Sequence, residues 1–248
     1  MQLRCSIDGH SFEANLTNGT DLSQGFGPGG DNPAAFHIDT ARIEPIRVGD
    51  FVGSVAAGSG ANCEVITFCA HGNGTHTECL GHITAERYSV NRLIRAGFYV
   101  AKLITVVPEE RDGEKIIGMN QFSGLEKGAA DAIIVRTAWP KEKRGVSWSG
   151  ENPPYFEPEV LTLLADLGFT HFLTDLPSVD REEDGGALAA HHCWWKVPQS
   201  PRMNASITEL IVVPDELPDG LYALSLQFAS IESDAAPSRP VIYPLIPV

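Results

Sequence analysis

The chain has no Cys-x-x-Cys pair among its five cysteines, which removes the thiolate zinc knuckle from consideration. The cysteines are odd in number and scattered, so they do not read as a disulfide framework and they fit a reducing compartment. No apolar run approaches the roughly 18 residues that span a bilayer. The N-terminus also lacks a basic-then-apolar leader, so a cytoplasmic location is expected. Positive charge is scarce: 18 Lys and Arg stand against 32 Asp and Glu, for a formal net charge of −14. That balance argues against nucleic acid and anionic membrane surfaces as partners and leaves a small-molecule substrate. No internal repeat, low-complexity tract or composition break divides the chain. Its 248 residues, 43% of them hydrophobic, suit one large core, and the reading is a single domain over residues 1–248.

Histidine, by contrast, is concentrated. From His71 to His82 the chain reads His-Gly-Asn-Gly-Thr-His-Thr-Glu-Cys-Leu-Gly-His, which places three imidazoles, a carboxylate and a thiol in twelve residues. Transition-metal sites need neutral imidazole nitrogens and anionic oxygens converging on one point. In an extended segment side chains alternate, so His76 and Glu78 share a face, His82 returns to it, and Cys79 points away toward the core. Gly72, Gly74 and Gly81 let the backbone bend, and through them His71 can fold back onto the same point. A run this short rarely completes a metal site, so distant ligands are expected.

In chain order, Leu3 to Leu16 alternates around Asp8-Gly9, a β-hairpin signal. Asp21-Leu22-Ser23 opens a Gly/Pro-rich loop through Pro33, with Phe26 on it and Phe36 just beyond as aromatics suited to line a pocket. Phe51–Val55 and Val65–Cys69 read as strands, the second leading into the His-rich stretch and lending it rigidity. Val90–Ala96 reads as a short helix, Phe98–Val107 as a strand buried on both faces, Pro108–Gly113 as a charged turn, and Met119–Gly128 as a helical turn or short helix. Residues 132–174 follow a strand, helix, strand order, with the helix over Glu157–Leu167 closed by Gly168; this implies a crossover and a mixed or parallel sheet. The stretch between Trp139 and Tyr155 reads as a surface excursion. Asp175 to Asp180 then lies at a strand's C-terminal end, where α/β folds place ligand sites. Ile207–Val213 and Leu221–Phe228 read as further strands. Glu209, inside an apolar strand, is costly to bury unless paired or metal-bound, which makes it a candidate distant ligand, with His191 or His192 as another.

These segments resemble the cyclase family, metal-dependent hydrolases that include bacterial kynurenine formamidase and isatin hydrolase, whose motif is H-x-G-T-H-x-D-x-P-x-H. Gly74-Thr75-His76-Thr77-Glu78-Cys79-Leu80-Gly81-His82 follows the motif, with His71 just upstream. Asp21-Leu22-Ser23, the run from Ile134 to Trp139, Asp175 to Asp180, His191 to Trp195, Glu209-Leu210 and Pro237 to Val241 resemble further family landmarks in the family's order. The resemblance implies an α/β fold of mixed β-sheets with flanking helices, of swivelling β/β/α type. It also implies one or two divalent ions, Zn or Mn, held by His71, His76, Glu78, Glu209 and His191, the last favoured over His192 by its spacing to Trp194 and Trp195. His82 takes the general acid/base role, Ser178 and Asp180 shaping roles, and the chain a homo-oligomeric state. The implied activity is hydrolysis of an amide or cyclic amide C–N bond, by water activated on the metal. The alternative is a catalytically inactive metal or small-molecule binding protein of the same fold. A lyase using the same site is a third reading. Three departures from the motif stand out: one extra residue between His71 and His76, Glu78 in place of Asp, and Leu80 in place of Pro.

Overall fold

The structure is a computed structural model that describes residues 1–7, 9–29, 32–139 and 145–248. Its central sheet has nine strands: β1 (Thr20–Asp21), β2 (His76–Glu78), β3 (Gly97–Val106), β4 (Ala132–Thr137), β5 (His171–Thr174), β6 (Ser206–Glu209), β7 (Gly220–Leu226), β8 (Ala235–Pro237) and β9 (Val241–Pro244). Their spatial order is β8-β2-β6-β5-β4-β3-β7-β9-β1. The inner strands β3, β4, β5 and β6 run parallel, and β2 and β7 flank them antiparallel. The fold is therefore a mixed α/β one, as the strand, helix, strand order over 132–174 implies.

Among the described residues the α-helices are α1 (Val90–Leu93), α2 (Pro158–Asp166) and α3 (Ala189–Trp195). α2 is the crossover between β4 and β5; Pro158 occupies its first turn, and Gly168, at φ +98°, follows its end. Proline pre-sets the first turn's φ, and a left-handed glycine ends a helix without a Cβ penalty. Val160, Leu161 and Leu164 of α2 join Trp194 and Trp195 of α3 over Ile133, Val135, Phe172 and Ile207 of the sheet. The alternate residues of the same strands, Ala132, Ile134 and Leu173, pack on the opposite face with Leu103, Leu224 and Ile242. Both faces of β4 are buried, as its unbroken apolar run requires.

Several expectations need correction. β3 is not buried on both faces: Ala101, Leu103 and Val106 are buried, but Val100 and Lys102 are half-buried and Phe98 is exposed. Val100 meets the N-terminal hairpin of Gln2–Ile7 and His10–Asn15, a thinner cover than a helix layer. Asp8 of that hairpin's turn lies outside the described residues, as do residues 30–31 of the opening loop and 140–144 of the excursion after Trp139. The expected strand before the His-rich stretch is Glu64–Thr67, paired with Arg42–Pro45 in a separate ribbon whose Glu64–Thr67 strand is wholly exposed. Rigidity reaches the His-rich stretch through β2 in the central sheet instead. Phe51–Val55 forms a strand only at Phe51–Val52 and then turns through Val55–Ala57. Pro108–Gly113 is part of a small hairpin, Glu109–Arg111 with Glu114–Ile117, around left-handed Asp112 and Gly113. The strand at Ile207–Val213 stops at Glu209, because Leu210 takes a left-handed φ of +56°.

Candidate metal centre

The antiparallel register of β2 and β6 pairs His76 directly with Glu209. Paired residues project to the same face of a sheet, and His76 Nε2 lies 3.4 Å from Glu209 Oε2. Two residues on, Glu78 projects to that face as well. Behind them Thr77 and Thr208, on the opposite face, share a hydrogen bond of 2.8 Å that pins the register. α3 packs over this face and brings His191 Nε2 to 3.2 Å from Glu78 Oε1 and 3.9 Å from Glu209 Oε1. His76, Glu78, His191 and Glu209 are all buried.

Glycines give the approach to β2 its shape. Gly74 has φ +130°, and a Cβ there would stand 2.7 Å from the carbonyl oxygen of Gln24. Gly72 and Gly81 have ordinary φ; what they provide is close approach, to Ile38 and to the Tyr88 carbonyl. Thr75 then ties three segments together: its N–H donates to Gln24 O (3.0 Å), its hydroxyl donates to Leu210 O (2.6 Å), and the same hydroxyl accepts from Gln24 N (2.7 Å). Gly74→Ala therefore combines backbone strain with a clash, and it should destabilise the fold by about 1–3 kcal/mol. Urea titration monitored by circular dichroism reads this as a lower midpoint at unchanged slope.

The rim of the site carries His71, His82 and Asp234. His71 Nδ1 is 3.1 Å from Glu78 Oε2, and its Nε2 is 2.8 Å from Asp234 Oδ2. The His82 ring stacks on His71 with centroids 4.2 Å apart, and its Nδ1 is 3.5 Å from Asp234 Oδ2 and 3.9 Å from Glu78 Oε2. All six residues expected at the site are thus brought into one cluster. His192 is not: its Nδ1 faces Val197 O at 3.2 Å, away from the centre. Asp180 meets the outer nitrogen of His191. Its carboxylate lies 2.5 Å from His191 Nδ1 and accepts the backbone N–H groups of Ala190 and His191 at the start of α3. Glu209 Oε1 in turn accepts the N–H of Val179 at 3.1 Å.

Asp234 was missed by sequence reasoning. It sits in a Ser-rich stretch, Ser230-Ile-Glu-Ser-Asp234, with no alternation to give its direction. The available signal was its place just before Pro237 to Val241; in the structure it immediately precedes β8, whose Ala235 pairs with Glu78. A cavity of about 220 Å³ opens on the site, bordered by Phe36, His71, His82, Arg181, Leu188 and Glu209. Phe36 is the aromatic there, whereas Phe26 pairs with Phe68 beside a different cavity. Cys79 points the other way, packed with Val90, Ile94 and Ala236, and burial pushes its thiol up to about 11.

The electrostatics of the bare cluster are those of buried ion pairs. Burial by itself lowers the His191 pKa, but the carboxylates of Asp180 and Glu78 outweigh it and raise the imidazole to about 10. For His71 burial acts in the same way, and Asp234 and Glu78 raise it to about 10. Burial favours the neutral form of Glu78, yet His82, His191 and His71 hold its carboxyl well below the usual range. His71 and His82 hold Asp234 low as well. Because the folded values of His71 and His191 lie above the ordinary 6.5, their stabilisation is complete below that pH and is lost as pH rises through about 10. Metal-free protein should therefore lose stability between about pH 7 and 10, and by less in His191→Gln. Urea midpoints across that range check this.

A metal ion suits the donor set. His76 Nε2, His191 Nε2 and both Glu78 oxygens are buried and make no hydrogen bond among the described residues, a costly state for polar atoms unless another group engages them. The inward-facing atoms of His71, His76 and Glu78 lie within 4.8 Å of one another, as do those of Glu78, His82 and His191.

Comparison with known proteins agrees with this picture. The Cyclase family profile matches residues 20–181. The chain belongs to the cyclase family. No curated protein sequence matches it. Among solved structures, one described as a potential metal-dependent hydrolase with cyclase activity superposes with a TM-score of 0.65 at 15% identity, covering 91% of this chain and 97% of that one. An isatin hydrolase bound to the product analogue thioisatinate gives 0.61 at 16%, covering 93% of each chain. Isatin hydrolase A from Ralstonia solanacearum gives 0.62 at 14%, covering 91% of each. At these identities the shared property is the cyclase fold.

Proposed function

We propose that this cyclase-family protein is a metal-dependent hydrolase of an amide or cyclic amide C–N bond in a small molecule, with His82 as general acid and base. The observation that carries the reading is the convergence of buried His76, Glu78 and His191 atoms that make no hydrogen bond among the described residues, beside Glu209 and next to a cavity of about 220 Å³ that His71, His82, His191 and Glu209 line. A divalent ion, Zn or Mn, held by His76, Glu78, His191, Glu209 and His71, would supply Lewis-acid polarisation of a carbonyl and acidify water near neutral pH. His82, at the rim and outside the buried set, would take the proton of the attacking water and return it to the departing nitrogen. Phe36 and Leu188 would present apolar walls to the substrate and exclude bulk water.

The test is hydrolysis of a panel of N-formyl arylamines, cyclic imides and lactams by protein loaded with Zn or Mn. Turnover that depends on the metal and collapses in His82→Ala supports the reading. Tight metal binding without turnover of any panel member favours the inactive binding protein instead. We also place homo-oligomerisation in this proposal. The N-terminal hairpin packs apolar residues on the sheet, and exposed apolar side chains gather at Val48, Phe51, Val55, Val65 and Ile66. Light scattering that shows only monomer at micromolar concentration would refute it.

A further inference from the structure

The extra residue between His71 and His76 ought to displace His71 from the centre, yet its Nδ1 stands 3.1 Å from Glu78 Oε2. Something outside the motif has to hold the ring there. The other two imidazoles show how such rings are held. His76 turns Nε2 inward while its Nδ1 lies 3.0 Å from the carbonyl of Gly74. His191 turns Nε2 inward while its Nδ1 meets Asp180. For a metal-binding histidine, the partner of the outer nitrogen fixes both ring orientation and tautomer. His71 has the arrangement with its nitrogens exchanged: Nδ1 is inward, and the outer Nε2 meets Asp234 Oδ2 at 2.8 Å.

We infer that Asp234 is the positioning residue that turns Nδ1 of His71 into the metal centre, and that it offsets the extra residue of this chain's motif. The inference rests on the proposed metal-dependent function for its consequence and on the described contacts for its geometry. Asp234 is held to the task from the backbone: Cys79 N donates to the carbonyl of Asp234 at 2.9 Å, and Ala235 pairs with Glu78, so the carboxylate's position is locked to β2 itself. Its side chain also accepts from the Ser233 hydroxyl at 3.0 Å. The same Oδ2 lies 3.5 Å from His82 Nδ1, so the residue that orients His71 also borders the proposed acid and base.

The experiment compares wild type, Asp234→Ala and Asp234→Asn by competition with a chelator for Zn and for Mn, and by long-range ¹H–¹⁵N NMR of the metal-free proteins. Asp234→Ala should weaken metal affinity by about 10–100-fold. Asp234→Asn retains an acceptor oxygen and should fall between the two. In the metal-free state, a proton bound to His71 Nε2 should be visible in wild type and Asp234→Asn and lost to exchange in Asp234→Ala. Unchanged affinity together with an unchanged His71 signal overturns the inference. So does loss of one whole equivalent of metal while a second keeps its affinity, since Asp234 would then be a ligand in its own right. Were wild type to bind no metal, the proposed function would fall, and the NMR comparison alone would decide the role of Asp234. Circular dichroism spectra and cooperative thermal melts showing each metal-free variant folded at the assay temperature separate positioning from a folding defect.

Discussion

Replacing His82 by alanine should lower kcat by about 10²–10⁴ while leaving metal content at the wild-type level, the range a positioned proton-transfer group contributes. The two readouts together make the prediction sharp. His82 is partly exposed on the rim, with Nδ1 3.9 Å from Glu78 Oε2, and its ring lies outside the β2, β6 and α3 surface that carries the buried donors. A ligand's removal would take the metal with it, whereas removal of a proton carrier leaves the ion and slows the chemistry. Elemental analysis beside steady-state kinetics separates the cases. Loss of metal in His82→Ala would move His82 into the ligand set.

The largest effect on stability should come from Glu78→Ala in the metal-free protein. Glu78 has no exposed surface and stands between His71 and His191. Both imidazoles owe part of their raised pKa to it. Removing one partner of a buried ion pair costs about 3–5 kcal/mol, and in a domain of this size each kcal/mol moves Tm by about 2–4 °C. A fall in Tm on the order of 10 °C is expected by calorimetry. Glu78→Gln, which keeps shape and hydrogen bonding, should lose less. Equal melting of Glu78→Ala and wild type would mean that the cluster contributes nothing to the metal-free fold.

Much of the site was legible because its chemistry is written in short-range spacing. His76 and Glu78 alternate within one strand, and Glu209 is conspicuous as a carboxylate among apolar neighbours. The crossover over residues 132–174 was legible for a similar reason: α2 and its flanking strands differ in periodicity, and Gly168 marks the boundary. What the sequence hid depends on partners far along the chain. Whether 64–67 supports the site turns on which strand it pairs with, and its partner is an exposed ribbon. Where β6 stops turns on one left-handed residue, Leu210, that no composition marks. Asp234 acquires meaning only when β8 lies against β2.

β2 is three residues long, and both of its neighbours in the sheet come from the last fifth of the chain. Thr77 meets Thr208 across 131 residues, and His71 meets Asp234 across 163. Contacts of such separation form late in folding, because the intervening loop must close first. A chain growing from its N-terminus therefore holds its His-rich segment without the surroundings that make it a site until β6 and β8 have been synthesised. Metal capture thereby reports completion of the fold: an intermediate with the α2 and α3 layer assembled but the β8-β2-β6 edge open has no converged donor set.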